Sequence, residues 1–195
     1  MLLCTTKQLD LNKPLPQRNI LESIADKIND KKIFLSVHER YYEHKYCVAL
    51  PGISQDIHQK VGFHTNRVCL LSLAENHPIR KEDKNISRIN FKVSETLDRL
   101  QNKVSGKSKR GAQKLHKSSI ICYIECSDDT NYPVYSCVEG KLVEINDKLI
   151  TNPNLLKAKP DSDGYIALLL PVLSMYEDLK SSMLTKEQYF CLGSI

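Results

Sequence analysis

Residues 132–171, YPVYSCVEGKLVEINDKLITNPNLLKAKPDSDGYIALLLP, decide the fold. Val134, Ser136 and Val138 alternate with Tyr135 and Cys137 up to Gly140. Leu142, Val143 and Ile145 then resume an apolar pattern, which reads as strand, tight turn, strand. Asn152-Pro153-Asn154-Leu155-Leu156 suits one helical turn, with Asn as cap and Pro at the first helical position, where its missing N–H costs nothing. Asp161-Ser162-Asp163-Gly164 turns the chain into Tyr165 to Leu170, a run apolar on both sides that predicts a buried strand ended by Pro171. Upstream, Ile120 to Glu125 is an arm leading into a hairpin whose tip is Cys126-Ser127-Asp128-Asp129-Thr130-Asn131. A small closed β-fold is expected.

This arrangement resembles the glycine-cleavage H-protein and lipoyl-carrier fold. The residues that carry the resemblance are Tyr135-Ser136-Cys137-Val138-Glu139-Gly140, Leu142-Val143-Glu144-Ile145-Asn146 and Gly164-Tyr165. The resemblance implies a mainly β barrel-sandwich hybrid, a lipoyl/H-protein-like single hybrid motif, here with short N- and C-terminal helices. A lipoyl carrier presents one lysine at the hairpin tip before the tyrosine, and residues 126–131 contain none. Lipoylation needs an amine to acylate, and Asp128 and Asp129 offer no such group, so no lipoyl group is expected.

A closer resemblance appears in the preceding segment. Leu100-Gln101-Asn102-Lys103-Val104-Ser105-Gly106-Lys107, followed by Lys109-Arg110-Gly111-Ala112-Gln113, is similar to the signature of the Abitram family (Simiate, actin-binding transcription modulator). Arg40-Tyr41-Tyr42, Asn66-Arg67-Val68-Cys69, Leu73 to Pro78, Cys126-Ser127-Asp128 and Leu184 to Tyr189 agree in order, so the resemblance runs from Val37 to Tyr189. It implies a non-enzymatic protein that binds actin, promotes its polymerisation and has a nuclear role. The locations it implies are nuclear speckles and the cytoplasm.

The 195 residues fit one domain with extensions: residues 1–36 as a tail and amphipathic helix, 37–173 as the β domain, 174–195 as a helical extension. With 26% charged and 41% apolar residues the composition is that of a folded protein. The net charge of +5 permits acidic partners without choosing among them. No apolar run approaches a membrane span, and Met1 to Cys4 is too short for a signal-peptide core. The seven cysteines therefore read as reduced thiols, several of them buried in strands.

Ahead of the β domain, Ile20, Leu21, Ile24, Ala25 and Ile28 share one helical face, with Asn19 and Glu22 as a capping box. Ile33 to Leu50 reads as β-like and aromatic, Pro51-Gly52 as a turn, Gln55 to Phe63 as a polar loop and Arg67 to Ala74 as a buried strand. Ile89, Phe91 and Val93 alternate as a half-buried strand, and Leu97, Leu100 and Val104 suit a brief helix ending at Gly106. Ser174 with Glu177 and Thr185 with Gln188 mark two short C-terminal helices.

Lys103, Lys107, Lys109, Arg110, Lys114 and Lys117 are the candidate partner-binding residues. Such density in a glycine-containing loop stays solvated, and three uses fit: a solubilising surface, a contact for actin or another acidic protein, or a patch for nucleic acid or nuclear import. The last is the alternative reading: a basic adaptor for nucleic acid or nuclear proteins without actin activity. Aromatic residues are not interleaved with the lysines, which weakens single-strand stacking. His38, His44, His58 and His64 match no metal-ligand spacing. Cys122, Cys126 and Cys137 lack a fourth ligand at zinc spacing. No nucleophile signature and no phosphate-binding glycine pattern is present, so no catalytic residue, metal or cofactor is assigned.

Overall fold

The computed structural model describes residues 36–53 and 57–192. The amphipathic helix expected at Asn19 to Ile28 lies outside them. Helix α1 (Val37–Tyr41) leads into β1 (Tyr42–Cys47), so the described part of the expected aromatic β-segment, Ile33 to Leu50, contains a helical turn before its strand. Next come β2 (Gln59–His64), β3 (Cys69–Leu73), α2 (Pro78–Lys81) and β4 (Ile86–Asn90). They are followed by β5 (Lys114–Leu115), β6 (Ile120–Cys126), β7 (Asn131–Tyr135) and β8 (Gly140–Ile145). Helices α3 (Lys148–Thr151) and α4 (Leu155–Ala158) precede β9 (Ala167–Pro171), and α5 (Tyr176–Ser181) and α6 (Lys186–Leu192) end the described chain.

Two antiparallel sheets hold these strands: a six-stranded sheet in the order β1-β2-β3-β9-β8-β5 and a three-stranded sheet in the order β4-β6-β7. The mainly β hybrid is present as two facing sheets, and it does not close into a barrel. Both sheets feed one apolar cluster. Val61, Phe63, Leu71, Leu142 and Leu169 enter it from the larger sheet and Ile89, Ile121, Ile124 and Val134 from the smaller one. The buried strand read at Arg67 to Ala74 is β3, all of whose residues are buried.

The segment that sets the fold folds differently from a tight hairpin at Gly140. Strand β7 pairs with β6, whereas β8 pairs with β9 and β5, so residues 136–139 carry the chain from one sheet to the other. The Ser136 hydroxyl donates to the Val138 carbonyl at 2.6 Å, and Cys137 adopts a left-handed φ of 57° to make this bend. Gly140 then starts β8 where a Cβ would lie 2.1 Å from the Leu170 carbonyl oxygen. Only glycine lets the two strands approach there.

The polar loop expected from Gln55 to Phe63 is also corrected, because its second half belongs to β2, an inner strand of the larger sheet. Polar side chains survive there because each is satisfied. The Gln59 amide crosses between the sheets, its oxygen accepting from the Tyr135 N–H and its nitrogen donating to the Tyr135 carbonyl, both at 2.8 Å. The Lys60 ammonium, 3% exposed, lies 3.0 Å from Glu75 Oε1 and 2.7 Å from Asp161 Oδ1. Gly62 gives space to Tyr42, whose Cδ1 would sit 3.1 Å from any Cβ.

Smaller elements differ as well. The helix expected up to Gly106 is a single 3-10 turn, Arg99–Gln101, capped by Asp98. The helical turn expected at Asn152 to Leu156 is formed slightly later, as α4: Pro153 lies in a turn ahead of the helix and not at its first position, and Asn154 takes the cap position without a side-chain hydrogen bond. Met175 takes the capping position of α5 in place of Ser174. The second C-terminal box is formed: the Thr185 N–H donates to Gln188 Oε1 at 2.9 Å and the Gln188 N–H to Thr185 Oγ1 at 3.3 Å. Leu179 and Met183 join the main core, and Tyr189 stacks on Tyr46 with centroids 4.2 Å apart.

Candidate binding surface

The basic segment is a small hairpin clamped at its base. Arg99, 4% exposed, donates from Nε and Nη2 to the Ile120 carbonyl at 3.0 and 2.8 Å and from Nη1 to Gln113 Oε1 at 2.8 Å. Asn102 accepts from the Gln113 N–H at 2.8 Å and donates to the Leu142 carbonyl at 2.9 Å. Gln113 Nε2 reaches the Asp98 carbonyl at 2.8 Å. Arg99, Asn102 and Gln113 therefore tie both ends of the loop to strands of both sheets. Counting lysines missed these three. Their signal was an amide at each end of a charged glycine-containing loop.

Above the clamp, Ser105 and Arg110 exchange backbone hydrogen bonds of 3.0 and 2.9 Å around the turn at residues 106–109. Gly106 and Lys109 have φ of 65° and 52°, and Gly111, at 78°, sits where a Cβ would lie 2.5 Å from the Lys103 carbonyl oxygen. Lys141 of β8 pins the turn by donating to the Ser108 carbonyl at 2.9 Å. Lys103, Lys107, Arg110 and Lys114 are exposed and Lys109 is half-buried. No Asp or Glu occurs between Asp98 and Glu125, and none of these five cations forms an ion pair among the described residues. Lys117, the sixth candidate, is half-buried and faces a different cavity, with Cys47, Cys137 and Met183.

The hairpin of β6 and β7 is formed as expected, with residues 127–130 at its tip and Asp129 at a left-handed φ of 60°. Lys84 reaches this tip from the loop before β4, its Nζ 2.8 Å from Asp128 Oδ2 and 5.5 Å from the centre of the Tyr132 ring. The hydrogen bond from Lys84 holds the Asp128 carboxyl down at about 2, and the same bond raises the Lys84 ammonium above its ordinary value.

His38 and His44 lie edge to face at 5.6 Å, His58 Nδ1 meets the Tyr189 hydroxyl at 3.1 Å, and His64 Nδ1 accepts from the Asn66 N–H at 3.1 Å. Cys47, Cys69, Cys122, Cys126 and Cys137 are buried free thiols. Burial pushes the Cys69 thiol up to about 12 and raises that of Cys122. Among the described residues no group of three or more His, Cys, Asp or Glu is placed to hold a metal ion, and no helix is long and apolar enough to cross a membrane.

Two facing antiparallel sheets, joined by the crossover after β7, define an H-protein-like domain. The family model for the glycine cleavage H-protein matches residues 74–192. A crystal structure of a glycine cleavage system H protein from Mycobacterium marinum superposes with a TM-score of 0.52 at 11% identity, covering 78% of this chain and 98% of that one. Within this class the sequence is similar to Protein Abitram of Xenopus tropicalis, 39% identical over 166 residues that cover 85% of this chain and 90% of that protein. Protein Abitram of Homo sapiens is 40% identical over 79% of this chain and 84% of its own length, and that of Dictyostelium discoideum 35% identical over 80% and 87%. The chain belongs to the Abitram family.

Proposed function

We propose that this chain is a non-catalytic binding protein that engages actin through its basic hairpin and favours polymerisation, with a nuclear role at speckles beside a cytoplasmic one. The observation that carries the reading is the hairpin: Lys103, Lys107, Lys109 and Arg110 stand on a rigid base with no carboxylate of their own to neutralise them. A preorganised group of cations loses little freedom on binding and steers an acidic partner toward it. Membership of the Abitram family, with the actin-binding role that the resemblance implies, supports actin as that partner. The hairpin tip without a lysine supports a role other than an acyl carrier.

The test is actin co-sedimentation of the wild type and of K107E/K109E/R110E at low and at higher salt. Wild-type binding should weaken with salt, and the triple variant should lose it. Unchanged affinity of the variant at low salt rejects the hairpin as the site. A folded wild type that fails to sediment with actin at low salt rejects actin and turns the question to nucleic acid or nuclear proteins.

A further inference from the structure

The basic hairpin borders an open apolar groove. Strand β5 is two residues long, and beside it a groove of about 500 Å³ is lined by Lys114, Leu115, Lys141, Leu170, Pro171 and Val172. Exposed apolar side chains continue past its end: Val172, Leu173 and Met175 are 40%, 63% and 38% exposed. Large apolar side chains clustered in this way on a surface mark a contact site. The groove also carries a net positive charge, two lysines against the single carboxylate of Glu139. Lys114 and Lys141 are opposite each other across the β5–β8 pair, and neither meets a carboxylate in an ion pair among the described residues. Like charges directly opposed on neighbouring strands repel, and a carboxylate placed between them relieves the repulsion.

We infer that this groove docks a peptide segment of a partner protein in which an apolar side chain is flanked by carboxylates. The apolar side chain enters between Leu115, Leu170 and Val172, and the carboxylates pair with Lys114 and Lys141. Glu139 on the groove wall repels carboxylates from its own flank and so fixes the direction of the segment. The inference rests on the acidic-partner reading above and adds to it an apolar anchor, which charge alone does not demand.

The test pairs a short synthetic peptide of alternating glutamate and leucine with one in which every leucine is serine, measured by fluorescence anisotropy against the full chain. Burying one leucine side chain gives the first peptide about tenfold higher affinity. The exposed-surface variant V172D/L173D abolishes that preference while its thermal unfolding stays as in the wild type. Equal affinity for both peptides, or a preference that survives in V172D/L173D, overturns the groove. Actin co-sedimentation separates this inference from the actin reading. Loss of binding in both V172D/L173D and K107E/K109E/R110E supports the groove, whereas loss only in the charge reversal overturns the groove and leaves the hairpin reading standing. If the wild type does not sediment with actin, the actin reading fails and the peptide pair alone decides the groove.

Discussion

Lys60 of β2, an inner strand of the larger sheet, and Asp161, 101 residues apart in sequence, meet with Nζ 2.7 Å from Oδ1 and 2.9 Å from Oδ2. Glu75 adds a second carboxylate at 3.0 Å, and Arg80 backs it at 3.8 Å. Burial acts to raise the Glu75 carboxyl, and the charge and hydrogen bond of Lys60 overcome it, leaving Glu75 below its ordinary value. Removing the ammonium strands two partly buried carboxylates. Lys60→Met should therefore lower stability by about 3 kcal/mol, and the triple change K60M/E75Q/D161N should regain most of it. Urea unfolding of the three proteins checks this. Equal stability of K60M and wild type would show that the network is not structural.

His77 is 3% exposed and caps α2, its Nδ1 accepting from the Ile79 N–H at 3.3 Å. Burial pushes its imidazolium down to about 3 from an ordinary 6.5. Its folded value lies below its unfolded one, so the unfolded chain binds the extra proton between them. Stability from this residue is therefore complete above the unfolded value and falls as the pH drops toward the folded one. On this account the wild type at pH 5 is about 2 kcal/mol less stable than at pH 7. His77→Asn keeps a capping acceptor without the titration, and should flatten that part of the pH profile in urea unfolding.

Gly140 and Gly52 separate two reasons for glycine. A Cβ at Gly140 would lie 2.1 Å from the Leu170 carbonyl oxygen and 2.8 Å from Pro171 Cα, both backbone atoms that have no side-chain freedom to retreat. Gly52 has a φ of 82° and nothing within 4 Å of a Cβ. Gly140→Ala should cost about 3 kcal/mol by forcing β8 from β9, whereas Gly52→Ala should cost about 1 kcal/mol of backbone strain. Thermal unfolding of both variants is the check. Equal losses would contradict the packing argument.

The α6 capping box and the Tyr189 hydroxyl hold the C-terminal helix by separate means. Thr185→Ala removes one side of the box and should cost about 1 kcal/mol. Tyr189→Phe leaves the Asn76 N–H without the hydroxyl it meets at 3.2 Å and should cost about 1–2 kcal/mol. Hydrogen exchange distinguishes them: T185A should raise exchange at the start of α6, and Y189F at Asn76.

Much of the β framework was legible because it rests on local signals. Strands β3, β6, β7 and β9 follow from apolar runs bounded by turn residues, and the α6 box from Thr185 and Gln188 three residues apart. Strand β2 was not legible. Gln59 and Lys60 read as loop residues, and they are tolerable in an inner strand only because Tyr135, Glu75 and Asp161 arrive from elsewhere in the chain. The six basic candidates were visible as charge. Their division was not, because Arg99, Asn102 and Gln113 decide which of them stand on the hairpin, while Lys117 turns to another cavity.

The sequence by itself determined a β-rich fold and the excess of positive charge between Asp98 and Glu125, since periodicity, turn chemistry and composition are local properties of the chain, while the family and its hybrid fold came from the resemblance of its motifs. Only the tertiary structure decided that β7 and β8 part into different sheets, that Lys60 is buried, and that Lys114 and Lys141 face each other beside Leu170 and Val172. Each of those depends on strand order and on contacts between residues far apart in sequence, which periodicity does not encode.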